Sequence, residues 1–143
     1  MSEKTQIRKL EKDLLTEVNF LVIEDMDNIR KQLVNDLRQI GVTSKIFEAA
    51  NLQAAVKICQ TEEFAFVISD WNLPDGTGHD FLKKFRAIEK FKKVPFVMCT
   101  TNSEINFFLE AVKSGANDYI VKPWKVEELK KKLLINWEMV NKK

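Results

Sequence analysis

Short apolar runs alternate along this chain with longer stretches of helical period. The runs are Phe20–Ile23, Lys45–Phe47, Phe64–Ser69, Pro95–Thr100 and Tyr119–Val121. Each is rich in β-branched or aromatic residues, as a strand buried on both faces should be. Between them, apolar residues recur at helical spacing. The stripes are Ile29, Leu33, Leu37 and Ile40; Leu52, Ala55, Val56 and Cys59; Phe81, Leu82, Phe85 and Ile88; Ile105, Phe108, Leu109 and Val112; and Leu129, Leu133 and Trp137. Each reads as the buried stripe of an amphipathic helix. Five strands alternating with five helices predict an α/β domain, a five-stranded parallel sheet with helices on both faces. Residues 1–19 stand outside this alternation. Ile7, Leu10, Leu14 and Val18 predict an extra N-terminal amphipathic helix. An isolated helix of about four turns is marginal in water, so its stripe must be covered. Packing on its own domain and pairing as a homodimer through this helix are both open. The division expected is a helical extension, 1–19, and a main domain, 20–143.

Composition narrows the class. A chain of 143 residues has room for one domain of this kind. Its 45% hydrophobic and 31% charged residues are those of an ordinary globular protein. A net charge of +2 is no nucleic-acid footprint. The surplus of lysine lies in residues 122–143, seven basic against three acidic, and reads as a solvated helix face. No apolar run is long enough to span a membrane, and Met1–Asn19 lacks an apolar signal core, so a cytoplasmic location without membrane insertion is expected. Cys59 and Cys99 form no CxxC and the single histidine is His79. Two buried free thiols are expected, not a zinc site.

The chemistry lies just after the strands. In open parallel sheets, ligands bind at the carboxyl ends of the strands. Glu24 and Asp25 follow the first run, Asp70 the third, Thr100 ends the fourth, and Lys122-Pro123 follows the fifth. Parallel strands would gather three carboxylates, a hydroxyl and an ammonium in one cleft. Clustered carboxylates repel, and a hard cation such as Mg²⁺ relieves this with oxygen ligands. Lys122 adds a point charge for a phosphoryl oxygen and Thr100 a hydrogen bond. An aspartate in that setting can attack phosphorus and become an aspartyl phosphate.

With these residues in this order, the chain resembles the receiver domains of two-component response regulators, and most of all the stand-alone chemotaxis (CheY-like) group. The segment Phe66-Val-Ile-Ser-Asp-Trp-Asn-Leu-Pro74, with Thr100, Tyr119 and Lys122-Pro123, carries the resemblance over about residues 20–140. It implies a flavodoxin-like, doubly wound fold and a phosphorylation-dependent signalling switch rather than an enzyme with an external substrate. It implies that Asp70 is the phosphoacceptor and that Asp25, Asp70 and the backbone carbonyl of Asn72 bind Mg²⁺, with Glu24 acting through a bound water. Lys122 would pair with the phosphoryl group, Thr100 would move to hydrogen-bond it, and Tyr119 would swing inward behind Thr100. The implied partners are a histidine kinase and a downstream protein target. The partner surface would be the face of the fourth helix, fifth strand and fifth helix of the alternation. Phe107 and Phe108 are adjacent there and cannot both face the core, so one should border that surface beside Tyr119. The Lys122–Pro123 bond is expected to be cis.

Some residues depart from the family's pattern. The acidic pair is Glu-Asp where Asp-Asp is common, and Trp124 stands where Phe is common. Asp75-Gly76-Thr77-Gly78 carries an extra glycine and is expected to be a mobile loop. Asn102 occupies a position that tunes phosphoryl lifetime in the family. No output domain follows the last helix, so signalling by binding another protein is expected if this is the whole protein. Two other readings stand beside it: an adaptor of the same fold that is never phosphorylated, and an aspartyl-nucleophile phosphohydrolase. The second needs a general acid where this chain has Asn72. A nucleotide-binding Rossmann reading fails for want of a glycine-rich phosphate loop.

Overall fold

The computed structural model describes residues 2–141, without the side chain of Asn102. The chain begins with α1 (Glu3–Thr16) and β1 (Phe20–Ile23), followed by α2 (Asp27–Ile40), β2 (Ile46–Ala49), α3 (Leu52–Thr61) and β3 (Phe66–Asp70). A small hairpin, β4 (Asn72–Leu73) and β5 (Gly76–Thr77), leads into α4 (Gly78–Ala87). Then come β6 (Phe96–Thr100), a 3₁₀ segment Asn102–Phe107, α5 (Phe108–Lys113), β7 (Asp118–Val121) and α6 (Val126–Asn141). Five strands form one sheet in the order β2-β1-β3-β6-β7, and every pairing in it is parallel. The predicted architecture is the one observed.

The three central strands are buried along their whole length, which is why they read as unbroken apolar runs. Alternate residues feed two cores. Leu21, Ile23, Val67 and Met98 pack with Phe81, Phe85 and Ala55 from α3 and α4. Phe20, Val22, Ile68, Val97 and Cys99 pack with Leu33 and Leu37 of α2 and Leu129 and Leu133 of α6. Among the described residues no helix is long and apolar enough to cross a membrane.

The N-terminal helix belongs to the second core. The Ser2 hydroxyl accepts from the Thr5 backbone N–H at 3.1 Å and caps α1. Leu14 and Val18 are buried, and the Leu15 carbonyl accepts from the Thr43 N–H at 2.8 Å. Ile7 and Leu10 line a crevice against Leu134 and Trp137 of α6. Packing on its own domain, one of the two readings left open by the sequence, is observed.

Two expectations are corrected. The stretch Asp75–Gly78 is not a loose loop. Asn72 pairs with Thr77 and Leu73 with Gly76, and the Asp75 carboxylate accepts from the Leu52 and Gln53 N–H groups at 2.8 and 2.9 Å. Asp75 thus ties the hairpin to the amino end of α3. The stripe Ile105, Phe108, Leu109 and Val112 is not a core stripe either. Ile105 lies in the 3₁₀ segment, and in α5 the side toward the core is that of Phe108 and Ala111. Leu109 is 71% exposed and Val112 is exposed too, while Ala111 carries the contact with the sheet. Val56 and Ile88 likewise fall on solvent at the edges of their helices.

Candidate functional site

Strand register sets the site. Ile23 pairs with Ser69, Asp70 with Cys99, and Thr100 with Val121, so the residues that follow all emerge at one end of the sheet. Glu24, Asp25 and Asp70 offer carboxylate oxygens that lie within 4.8 Å of one another. Lys122 reaches in from the other side, its Nζ 2.5 Å from Glu24 Oε1 and 3.2 Å from Asp70 Oδ2. The backbone holds these groups. The Glu24 N–H donates to the Ala49 carbonyl at 3.0 Å, the Lys122 N–H to the Thr100 carbonyl at 2.7 Å, and the Lys122–Pro123 bond is cis.

The groups differ in environment. Asp25 is exposed, whereas Glu24 is 3% exposed. Burial pushes the Glu24 carboxyl above its ordinary value, against the pull of the Lys122 hydrogen bond and the Met26 N–H. Burial opposes the charge on Lys122, but Glu24 and Asp70 more than offset it and raise its value. Asp70 is buried; its Oδ1 accepts from the Trp71 N–H at 2.7 Å. Three carboxylates and one ammonium leave a local excess of negative charge, with oxygen donors only. That donor set fits a hard divalent cation such as Mg²⁺.

Thr100 is fully buried at the end of β6, and its hydroxyl donates only a long 3.3 Å bond to the Thr101 carbonyl. Tyr119 is half-buried, its ring tilted onto Phe108 at 4.7 Å between centroids, with Lys132 Nζ 4.8 Å from the ring centre. Phe107 is exposed at the edge of the same region and stacks on Trp71 at 5.8 Å. Trp71 also stacks with His79 at 5.3 Å, and His79 Nε2 hydrogen-bonds Ser114 Oγ at 2.6 Å. The Asn102 side chain lies outside the described residues.

Sequence reasoning missed three participants. Glu104 accepts from Thr101 Oγ1 at 2.8 Å and from the Asn72 side-chain amide, joining β4 to the 3₁₀ segment that follows β6. The Thr101-x-x-Glu104 capping box was the signal that could have revealed it. Gly78 is the second: a Cβ there would lie 2.6 Å from the Asp70 carbonyl oxygen, so α4 can start against the acidic cluster only without a side chain. Asp36 is the third. It is buried and accepts from Trp124 Nε1, 88 positions further along the chain, at 2.7 Å.

The comparisons with known proteins agree with this geometry. A family model, the response regulator receiver domain, matches residues 20–134. The chemotaxis protein CheY of Pseudomonas aeruginosa is 34% identical over 87% of this chain and 99% of its own length. CheY-3 of Vibrio cholerae is 35% identical over 81% of this chain and 88% of its own. The solved structure of chemotaxis response regulator CheY4 of Vibrio cholerae superposes with a TM-score of 0.76 at 30% identity, covering 83% of this chain and 98% of that one. The receiver domain of a Pseudomonas aeruginosa sensor histidine kinase, solved with a magnesium ion coordinated in its active-site cleft, gives 0.74 at 25% identity, covering 84% and 97%.

Proposed function

The chain belongs to the response regulator receiver family, and from that premise we propose that it is a chemotaxis-type, cytoplasmic signalling switch that accepts a phosphoryl group on Asp70. It is a signalling protein rather than a classical enzyme. The observation that carries this reading is the placement of Lys122 Nζ 3.2 Å from Asp70, with Glu24 and Asp25 beside it. The donor is the phosphohistidine of a histidine kinase. An Asp70 carboxylate oxygen attacks phosphorus, the bond from phosphorus to the histidine nitrogen breaks, and the imidazole leaves and takes up a proton. Asp25, Asp70 and the Asn72 carbonyl would hold Mg²⁺, with Glu24 reaching it through water. The bound cation supplies charge that offsets repulsion between carboxylate and phosphoryl oxygens.

Lys122 exchanges part of its pairing with Glu24 and Asp70 for a phosphoryl oxygen. The phosphoryl group brings about −1.5 to −2 of charge and three acceptor oxygens. The loosely bonded hydroxyl of Thr100 turns to one of them, and Tyr119 shifts into the room this leaves. The changed surface comprises Phe107, Phe108 and Tyr119, and a downstream protein reads it. Couplings of this kind are typically about 1–3 kcal/mol. Asn72, committed to Glu104, offers no acid proton, which speaks against the phosphohydrolase reading.

Incubation with Mg²⁺ and acetyl phosphate tests the proposal. Intact-mass analysis is expected to find one added phosphoryl group in wild type and none in Asp70→Ala. A label that survives that substitution, or none on wild type, would overturn it.

A further inference from the structure

A cavity of about 730 Å³ lies beside the acidic cluster, between α2 and the turn that joins β7 to α6. Its volume is that of a small-molecule site. Ile29, Trp124 and Val126 give it an apolar wall, and Gln32, Asp36 and Lys122 contribute its main polar groups. Asp36 is 5% exposed. One of its oxygens accepts from Gln32 Nε2 at 2.8 Å and the other from Trp124 Nε1 at 2.7 Å. Both donors are neutral, and among the described residues Asp36 forms no salt bridge. A buried carboxylate without a cation is costly, and neutral hydrogen bonds compensate it only in part.

We propose that this cavity binds a small organic cation, an ammonium or amidinium on an apolar body, with the charge toward Asp36 and the body against Ile29, Trp124 and Val126. Lys122 also lines the cavity, but its charge is met by Glu24 at 2.5 Å and Asp70 at 3.2 Å, which lessens its repulsion of such a ligand. The site needs no phosphoryl group and no metal, so it stands or falls apart from the proposed phosphorylation chemistry.

Benzylammonium is a suitable probe and benzyl alcohol its neutral control. The indole N–H resonance of Trp124, followed by two-dimensional NMR, reports directly at Asp36. Benzylammonium is expected to shift it saturably, and benzyl alcohol to bind at least about tenfold more weakly, a difference of about 1.4 kcal/mol. Asp36→Asn is expected to weaken benzylammonium by the same factor. Ile29→Trp, which fills the mouth without touching the carboxylate, should abolish binding and serves if Asp36→Asn folds poorly. Asp25→Asn, at the neighbouring acidic cluster, should leave affinity unchanged. No saturable shift, equal binding of the alcohol, or a loss that follows Asp25 in place of Asp36 would overturn the assignment.

Discussion

Helices α5 and α6 flank the same edge strand, β7, and are anchored very differently. α6 runs for 16 residues and buries Leu129, Leu133 and Asn136. Asn136 and Lys132 hold the Asp118 carboxylate at 2.9 and 2.8 Å, and α1 covers part of its outer side. α5 has six residues, begins from a 3₁₀ segment, buries Ala111 and turns Leu109 and Val112 to solvent. Local stability follows buried apolar contact. A modest change at the acidic cluster can therefore move α5 and its flanking loops at small cost, whereas α6 would carry much of the core with it. On the function proposed above, the side that changes shape is the one that holds Thr100, Phe107 and Glu104.

The largest effect should come from the anchored side. Leu133→Ala is expected to cost about 2–5 kcal/mol of stability in urea unfolding, as for a fully buried leucine. A loss below about 1 kcal/mol would erase the contrast. Gly78→Ala probes the junction of the acidic cluster with α4. Its Cβ would press on the Asp70 carbonyl at 2.6 Å, a backbone atom that cannot swing aside. It should cost about 1–3 kcal/mol and slow labelling of Asp70 by acetyl phosphate.

A smaller effect concerns pH. Burial raises the Glu24 carboxyl above its ordinary value, so the folded chain holds that proton more tightly than the unfolded chain. Stability of the metal-free protein should then fall as pH rises from the ordinary carboxylate value through the raised Glu24 value. Urea unfolding in chelator over that window should give a flatter profile for Glu24→Gln than for wild type; equal slopes would refute it. The smallest effect belongs to Leu109→Ala, expected to change stability by less than about 0.5 kcal/mol. Hydrogen exchange sharpens the same contrast: amides of α5 should exchange faster than those of α6, and the reverse order would break it.

Much of this was legible in the residues because the driving patterns are local. The buried strands show as apolar runs, and parallel order then carries Glu24, Asp25, Asp70, Thr100 and Lys122 to one rim without further information. The boundaries slipped where a run and its ladder differ: β2 is Ile46–Ala49 where Lys45–Phe47 was expected. The hairpin β4–β5 was illegible, since two-residue strands have no period to detect, and its anchor, Asp75 on α3, is a tertiary contact. The misplaced stripe of α5 shows the complementary limit. Four apolar residues at helical spacing suggest a face, but within α5 the side that meets the core is that of Phe108 and Ala111, and an alanine leaves no apolar stripe to read. The bond of Asp36 to Trp124 joins positions 88 residues apart and left no local trace.

Trp71 has one more consequence. It directly follows Asp70, is almost fully enclosed, and stacks with two near-parallel rings, His79 from α4 and Phe107 from the segment before α5. The other two indoles, Trp124 and Trp137, sit with the opposite core. The chain thus carries an intrinsic optical gauge, whose emission is expected to respond to a shift of the Phe107 segment with no dye attached.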